Sequence, residues 1–137
     1  MTLASIIERE AVVPGERPVI ASVFLNRLQR GMRLQADPTV QYALVASDAS
    51  GQALDLVAGY WKRALTFADL RVESPYNTYQ VTGLPPGPIC SPGLASLRAV
   101  AQPASSDYLY FVSRGDGTHE FARTLDEQQR NVAKYHS

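Results

Sequence analysis

Leu3, Ile6 and Ile7 stand at the i, i+3, i+4 spacing of one buried helical face. This spacing predicts a helix over 2–12, with Thr2 as its cap. Pro14 and Gly15 interrupt it, so 12–18 reads as a connection. Pro18 suits the first turn of a second helix, 17–30, with Ile20, Val23, Phe24 and Leu28 on its apolar side and Arg27 beside them. Gly31 falls where helices end in left-handed backbone. Asp37 and Pro38 then read as cap and first-turn proline of a third helix through residue 45.

Residues 46–60 lack punctuation and read as a surface excursion, with space for a short helix near Phe67–Leu70 within 61–72. From Ser74 to Gly93 the chain predicts a long loop, with prolines at 75, 85, 86, 88 and 92. Such a loop is uncommon in a small domain unless it is functional. Leu94–Ala101 reads as a short helix. Tyr108–Ser113 and His119–Arg123 read as strands of a hairpin turned at Asp116-Gly117, and Thr124 caps a last helix through Tyr135. The sum is an α+β fold: one helix-rich domain over 1–137 with a small C-terminal hairpin sheet, without repeats or an internal boundary.

At 137 residues the chain can bury one sizeable core. Its 13 basic and 13 acidic side chains balance, so there is no basic surplus to attract nucleic acid. Cys90 has no internal disulfide partner and reads as a packing residue rather than a nucleophile. His119 and His136 are too few and scattered for a metal cluster and read as ordinary strand and tail residues; neither metal nor cofactor is expected. No apolar run approaches the ~20 residues that span a bilayer, and nothing resembles a cleavable signal. Helical periodicity starting at the first residues suggests a piece of a longer protein.

One charge changes this picture. The stripe 3, 6, 7 continues to position 10, which is glutamate. Glu8 lies about 200° from Glu10 around the helix, and the expectation is that it points to solvent. Glu10, set among Leu3, Ile6 and Ile7, should lose water, which disfavours its charged form and lifts its pKa toward roughly 6, as in glycosidase general acids. The alternative is a helix-end glutamate paired with Arg9 or Arg33. The segment YNTY (76–79) adds tyrosine rings that stack on sugar faces and Asn/Thr groups that fix polar edges; a rigid loop with its tyrosines packed inward is the alternative. Asp37 is most simply a helix cap, and Gln35 and Thr39 are ligand contacts or local hydrogen-bonders.

In their order and spacing, LASIIEREA (3–11), VIASVFLNRL (19–28), GMRLQADPTVQYAL (31–44), SPYNTYQVTGLPPGPICSPG (74–93) and YLYFV (108–112) resemble the YceG-like (MltG) endolytic murein transglycosylases. The likeness covers nearly the whole chain and weakens at about 46–72. It implies Glu10, the second glutamate of the family's ExE helix motif, as catalytic acid/base, and Gln35, Asp37, Tyr76, Asn77, Thr78 and Tyr79 as substrate-binding. It further implies peptidoglycan glycan strands as substrate, no cofactor, 1,6-anhydro products, and a polar group such as Asn77 at the transition state. By the same resemblance the parent protein has an N-terminal membrane anchor and a LysM-like domain, both missing from this stretch. Its catalytic domain would face the extracytoplasmic side, near the cell-wall synthesis machinery.

Three rivals stand beside this. A muramidase-type hydrolase needs a second acid, for which Asp37 is the best candidate. A non-catalytic glycan-binding module would leave Glu10 structural. Aminodeoxychorismate lyase chemistry requires a Schiff-base lysine, and only Lys62, in the excursion, and Lys134, in the last helix, are available, so it is disfavoured.

Overall fold

A computed structural model describes residues 1–47 and 65–136. Among these described residues, five helices and one antiparallel hairpin follow in the order α1 (Thr2–Glu10), α2 (Arg17–Gln29), α3 (Asp37–Ser47), α4 (Leu94–Ala101), β1 (Tyr110–Ser113), β2 (His119–Ala122) and α5 (Leu125–His136). This is the α+β class that the periodicities predict. Most of the excursion expected at 46–60, and Lys62, lie outside the described residues. Of the short helix expected within 61–72, a single 3₁₀ turn forms at Asp69–Arg71.

α1 buries Leu3, Ala4, Ser5, Ile6 and Ile7. It meets Ile20, Ala21 and Phe24 of α2, Ala99 of α4 and Ile89 of the long loop in one core. The helix ends two residues earlier than expected. Ala11 and Val13 are extended, as the residue before Pro14 is driven to be. Thr2 is not the cap: Met1 occupies that position and Thr2 is already helical.

At the end of α2, Met32 N–H donates to the Arg27 carbonyl and Gly31 N–H to that of Leu28, at 2.9 and 3.2 Å. This 6→1 and 5→2 pair needs left-handed backbone at Gly31, whose φ is +70°. The turn sends the chain across the molecule to α3.

Long-range polar contacts hold the hairpin against this helical layer. Asn26 Nδ2 donates to the carbonyls of Ser106 and Tyr108, both at 2.9 Å, and Arg27 Nε to that of Leu109 at 2.6 Å. β1 and β2 pair with Phe111 opposite Phe121 and Ser113 opposite His119. At the turn, Asp116 Oδ1 accepts from the Thr118 N–H at 3.0 Å. Thr124 caps α5 as expected, its Oγ1 accepting from the Glu127 N–H at 3.2 Å. Cys90 packs beside α1, donating to the Ser5 carbonyl, and loss of water raises its thiol pKa, which suits a packing role.

Glu8 departs from its expected place. It turns away from Glu10, as the helical phase requires, but meets the start of α4 instead of open solvent. Its Oε1 accepts from Gly93 N–H at 2.6 Å and Ser96 Oγ at 3.0 Å, and these bonds hold its carboxyl below the ordinary range. Gly93 permits the approach: a Cβ there would stand 3.1 Å from that oxygen. Glu8 therefore ties the start of α4 to α1. Glu8→Ala is expected to cost about 1 kcal/mol in urea unfolding, the usual net worth of a hydrogen bond. An unchanged midpoint would show that the contact carries no net stability.

Candidate active site

α1 delivers Glu10, from its last turn, to a cleft of about 420 Å³. Leu34, Gln35 and Asp37 line it from the segment leading into α3, and Tyr79 from the long loop. Tyr110 to Ser113 and His119 line it from the hairpin, and Gln128 from α5. A second hollow of about 490 Å³, over Gly31–Arg33 and Thr82, shares Arg27, Gln35, Tyr110 and Leu125 with it. The two hollows adjoin along these four shared residues.

Glu10 is half-buried as a residue, its remaining exposure lying in the cleft, but protein atoms crowd its carboxyl. Loss of water, and then the charge of Asp37, push its pKa from 4.5 up to about 8. This exceeds the value near 6 expected from the apolar stripe alone, because Asp37 is 27 positions away and only the fold brings it near. Pairing with an arginine would have moved the carboxyl the other way. At neutral pH Glu10 is an acid with a proton to give.

Asp37 opens α3 and also takes a bond from the loop: Tyr79 Oη donates to its Oδ1 at 2.6 Å. Burial, then this bond, raises the Tyr79 pKa, so the phenol keeps its proton and acts as a donor. Gln35 holds left-handed backbone, φ +52°, a conformation costing about 1 kcal/mol or more away from glycine. Its N–H donates to the Thr78 carbonyl at 3.2 Å, which anchors the strained residue at the cleft edge.

Four of the proposed contacts thus meet at one cleft: Glu10, Gln35, Asp37 and Tyr79. Thr78 and Asn77 do not reach it. Both are fully buried. Thr78 Oγ1 accepts from the Ala36 N–H at 2.9 Å and lies 2.8 Å from Thr39 Oγ1, whose own proton goes to the Ala36 carbonyl. Asn77 Nδ2 donates to the carbonyls of Leu70 and Val72, while Oδ1 accepts from Tyr79 N–H. With its amide engaged on both sides, Asn77 is a scaffold for Tyr79 rather than a group aimed at substrate. Tyr76 packs on Tyr42, centroids 4.7 Å apart, and against the core, so the inward-packed alternative describes this ring. Thr39, weighed as a contact, belongs to the same buried network.

Arg27, Glu16, His119 and Gln128 were not among the site candidates legible in the sequence. Arg27 is 7% exposed and binds the carbonyls of Leu109, Arg33 and Leu34, while its guanidinium lies 5.0 Å from the Tyr110 ring centroid. Burial lowers its pKa, while Tyr110 and Tyr79 oppose that shift. An arginine inside an apolar stripe was the available signal. His119 is not an ordinary strand residue: it is 7% exposed, lines the cleft and is gripped by Glu16.

A groove holding one carboxyl whose pKa is raised, with the Asp37 side chain and a phenol beside it, can give a proton and take one back. The chain belongs to the YceG-like family, whose model matches residues 1–134. It is 44% identical over 135 residues to an endolytic murein transglycosylase of Bacillus subtilis, covering 98% of this chain and 34% of that protein. A Streptococcus pneumoniae protein of the same description is 35% identical over 136 residues, covering 98% of this chain and 23% of that one. The crystal structure of a yceG-like protein from Listeria monocytogenes superposes with a TM-score of 0.80 at 46% identity, covering 95% of this chain and 38% of that one. The chain therefore spans about a quarter to a third of the length of the curated relatives it matches.

Proposed function

We propose that this chain is the catalytic part of an endolytic peptidoglycan lytic transglycosylase, with Glu10 as its acid/base. The observation that carries this is the Glu10 carboxyl, held protonated up to about pH 8 inside an open groove. Protonated Glu10 gives its proton to the glycosidic oxygen between N-acetylmuramic acid and N-acetylglucosamine, and the C1–O bond breaks. As carboxylate it then takes the proton of the muramyl 6-hydroxyl, whose oxygen closes on C1 to give a 1,6-anhydro end. The acid is regenerated, and no water is consumed. Asp37, with Tyr79 hydrogen-bonded to it, supplies negative charge near the cationic transition state.

The descriptions of the Bacillus and Streptococcus relatives support this reading, as does a groove that extends past the acid in the direction of Gly31–Arg33. In the cell we place the domain outside the cytoplasmic membrane, on a membrane-anchored parent working beside the wall-building machinery. Among the described residues no helix is long and apolar enough to cross a membrane. Asp37 in the same cleft also suits a hydrolase, in which it would activate water or attack C1. Mass spectrometry of muropeptides after digestion separates the two: anhydro-muramyl ends are expected, and reducing muramyl ends would mean hydrolysis.

A further inference from the structure

On the hairpin side of the cleft, two polar groups have no part in the acid/base chemistry. Glu16, from the turn before α2, grips His119 with both carboxylate oxygens. Oε2 accepts the His119 backbone N–H and Oε1 faces Nδ1, both at 2.9 Å. An ionised carboxylate only accepts, so the ring proton of a neutral His119 sits on Nδ1 and Nε2 is left as an acceptor. The edge of the ring against Phe111, centroids 5.3 Å apart at 84°, fixes its plane.

Gln128 of α5 also lines the cleft. Its Nε2 donates to the Phe111 carbonyl at 3.0 Å, which settles which end of the amide is oxygen. Its Oε1 is buried and has no partner in the protein. A buried acceptor left unpaired is costly to the fold, and a donor from a ligand would recover that cost.

We infer that His119, oriented by Glu16, and Gln128 form a recognition wall that accepts hydrogen bonds from the acetamido N–H and hydroxyl groups of an N-acetylhexosamine in the cleft. The inference rests on the glycan-cleaving reading and adds the side of the groove that grips the sugar. Every sugar edge that carries a hydroxyl or acetamido N–H can donate. A wall of acceptors therefore selects for sugars while Glu10, protonated, donates from elsewhere in the same cleft. Glu16 is a positioning residue: it acts by choosing which ring nitrogen of His119 holds the proton.

Glu16→Gln tests this without emptying the site. The glutamine oxygen keeps the His119 backbone N–H, which turns the amide N–H group toward Nδ1. Nδ1 must then accept, and the ring proton moves to Nε2, so the acceptor becomes a donor. Binding of a tetrasaccharide of alternating N-acetylglucosamine and N-acetylmuramic acid is measured by calorimetry in a Glu10→Gln background, with ¹⁵N spectra reading the tautomer. Adding Glu16→Gln is expected to flip the tautomer, leave the melting temperature nearly unchanged and weaken binding about tenfold, the equivalent of about 1.4 kcal/mol. Gln128→Met, which removes the orphan acceptor at similar volume, is expected to weaken binding about threefold to tenfold. Equal affinity in both variants, or a tautomer that does not move, overturns the wall. A Glu10→Gln protein that binds no tetrasaccharide overturns the glycan-cleaving reading along with it.

Discussion

Glu10→Gln is expected to lower glycan cleavage by at least about 10²–10⁴-fold, the usual worth of general acid/base help. The amide keeps the shape and can still hydrogen-bond, but it neither gives nor takes the proton. Stability should move in the opposite sense. The folded-state pKa of Glu10, about 8, lies above the ordinary 4.5, so the folded protein prefers the protonated acid. Stability from that proton is complete below about pH 4.5 and is lost as pH rises through about 8. Glutamine does not titrate. The variant should therefore match the wild type in acid and become the more stable protein between pH 4.5 and 8, with a constant gap above that. Because Glu10 retains contact with solvent in the cleft, the gap should be roughly 2–4 kcal/mol, less than full burial would give. The same proton governs the wild-type rate: kcat/KM should fall above about pH 8 as the acid ionises. Melting curves across this range and one pH–rate profile suffice. Parallel melting curves at every pH would show that Glu10 is not crowded by the protein as described.

Asn77→Ala should act on stability rather than on chemistry. The side chain is fully buried, and its removal strands the carbonyl of Val72 and the N–H of Tyr79 and leaves the Leu70 carbonyl only its 3.4 Å bond from Gln80 Nε2. Each unpaired buried group costs about 1–3 kcal/mol, and partial entry of water brings the expected total to about 3 kcal/mol. For a domain of this size that is a fall of ~10 °C in melting temperature. Activity at low temperature should drop only as far as Tyr79, and with it the Asp37 bond, loses its place. A variant that melted like the wild type yet lost kcat would return Asn77 to the transition state, where the sequence alone suggested it.

How each expectation fared follows from the range of the forces behind it. Glu10 was legible because one apolar stripe on one helix places it, and neighbours within a turn or two decide that burial. Gly31, Thr124 and Asp116-Gly117 were legible for the same reason: a left-handed turn, a cap and a tight hairpin involve residues a few positions apart. YNTY was different. A loop has no period, so nothing in the sequence says that Tyr79 faces the cleft while Asn77 and Thr78 face the interior. That alternation is set by where the carbonyls of Leu70 and Val72 and the start of α3 lie.

The partners of the carboxylates were the least visible, because chain packing alone selects them. The helical phase turned Glu8 away from Glu10, but only the fold put Gly93, 85 positions on, beneath its oxygen. Glu16 meets His119 across 103 positions, and Asp37 lifts Glu10 across a helix and a turn. Local periodicity sets which side chains must leave water, since that needs only the neighbouring turns. Which polar group each one then meets depends on the meeting of distant segments, and that decides how strongly Glu10 holds its proton.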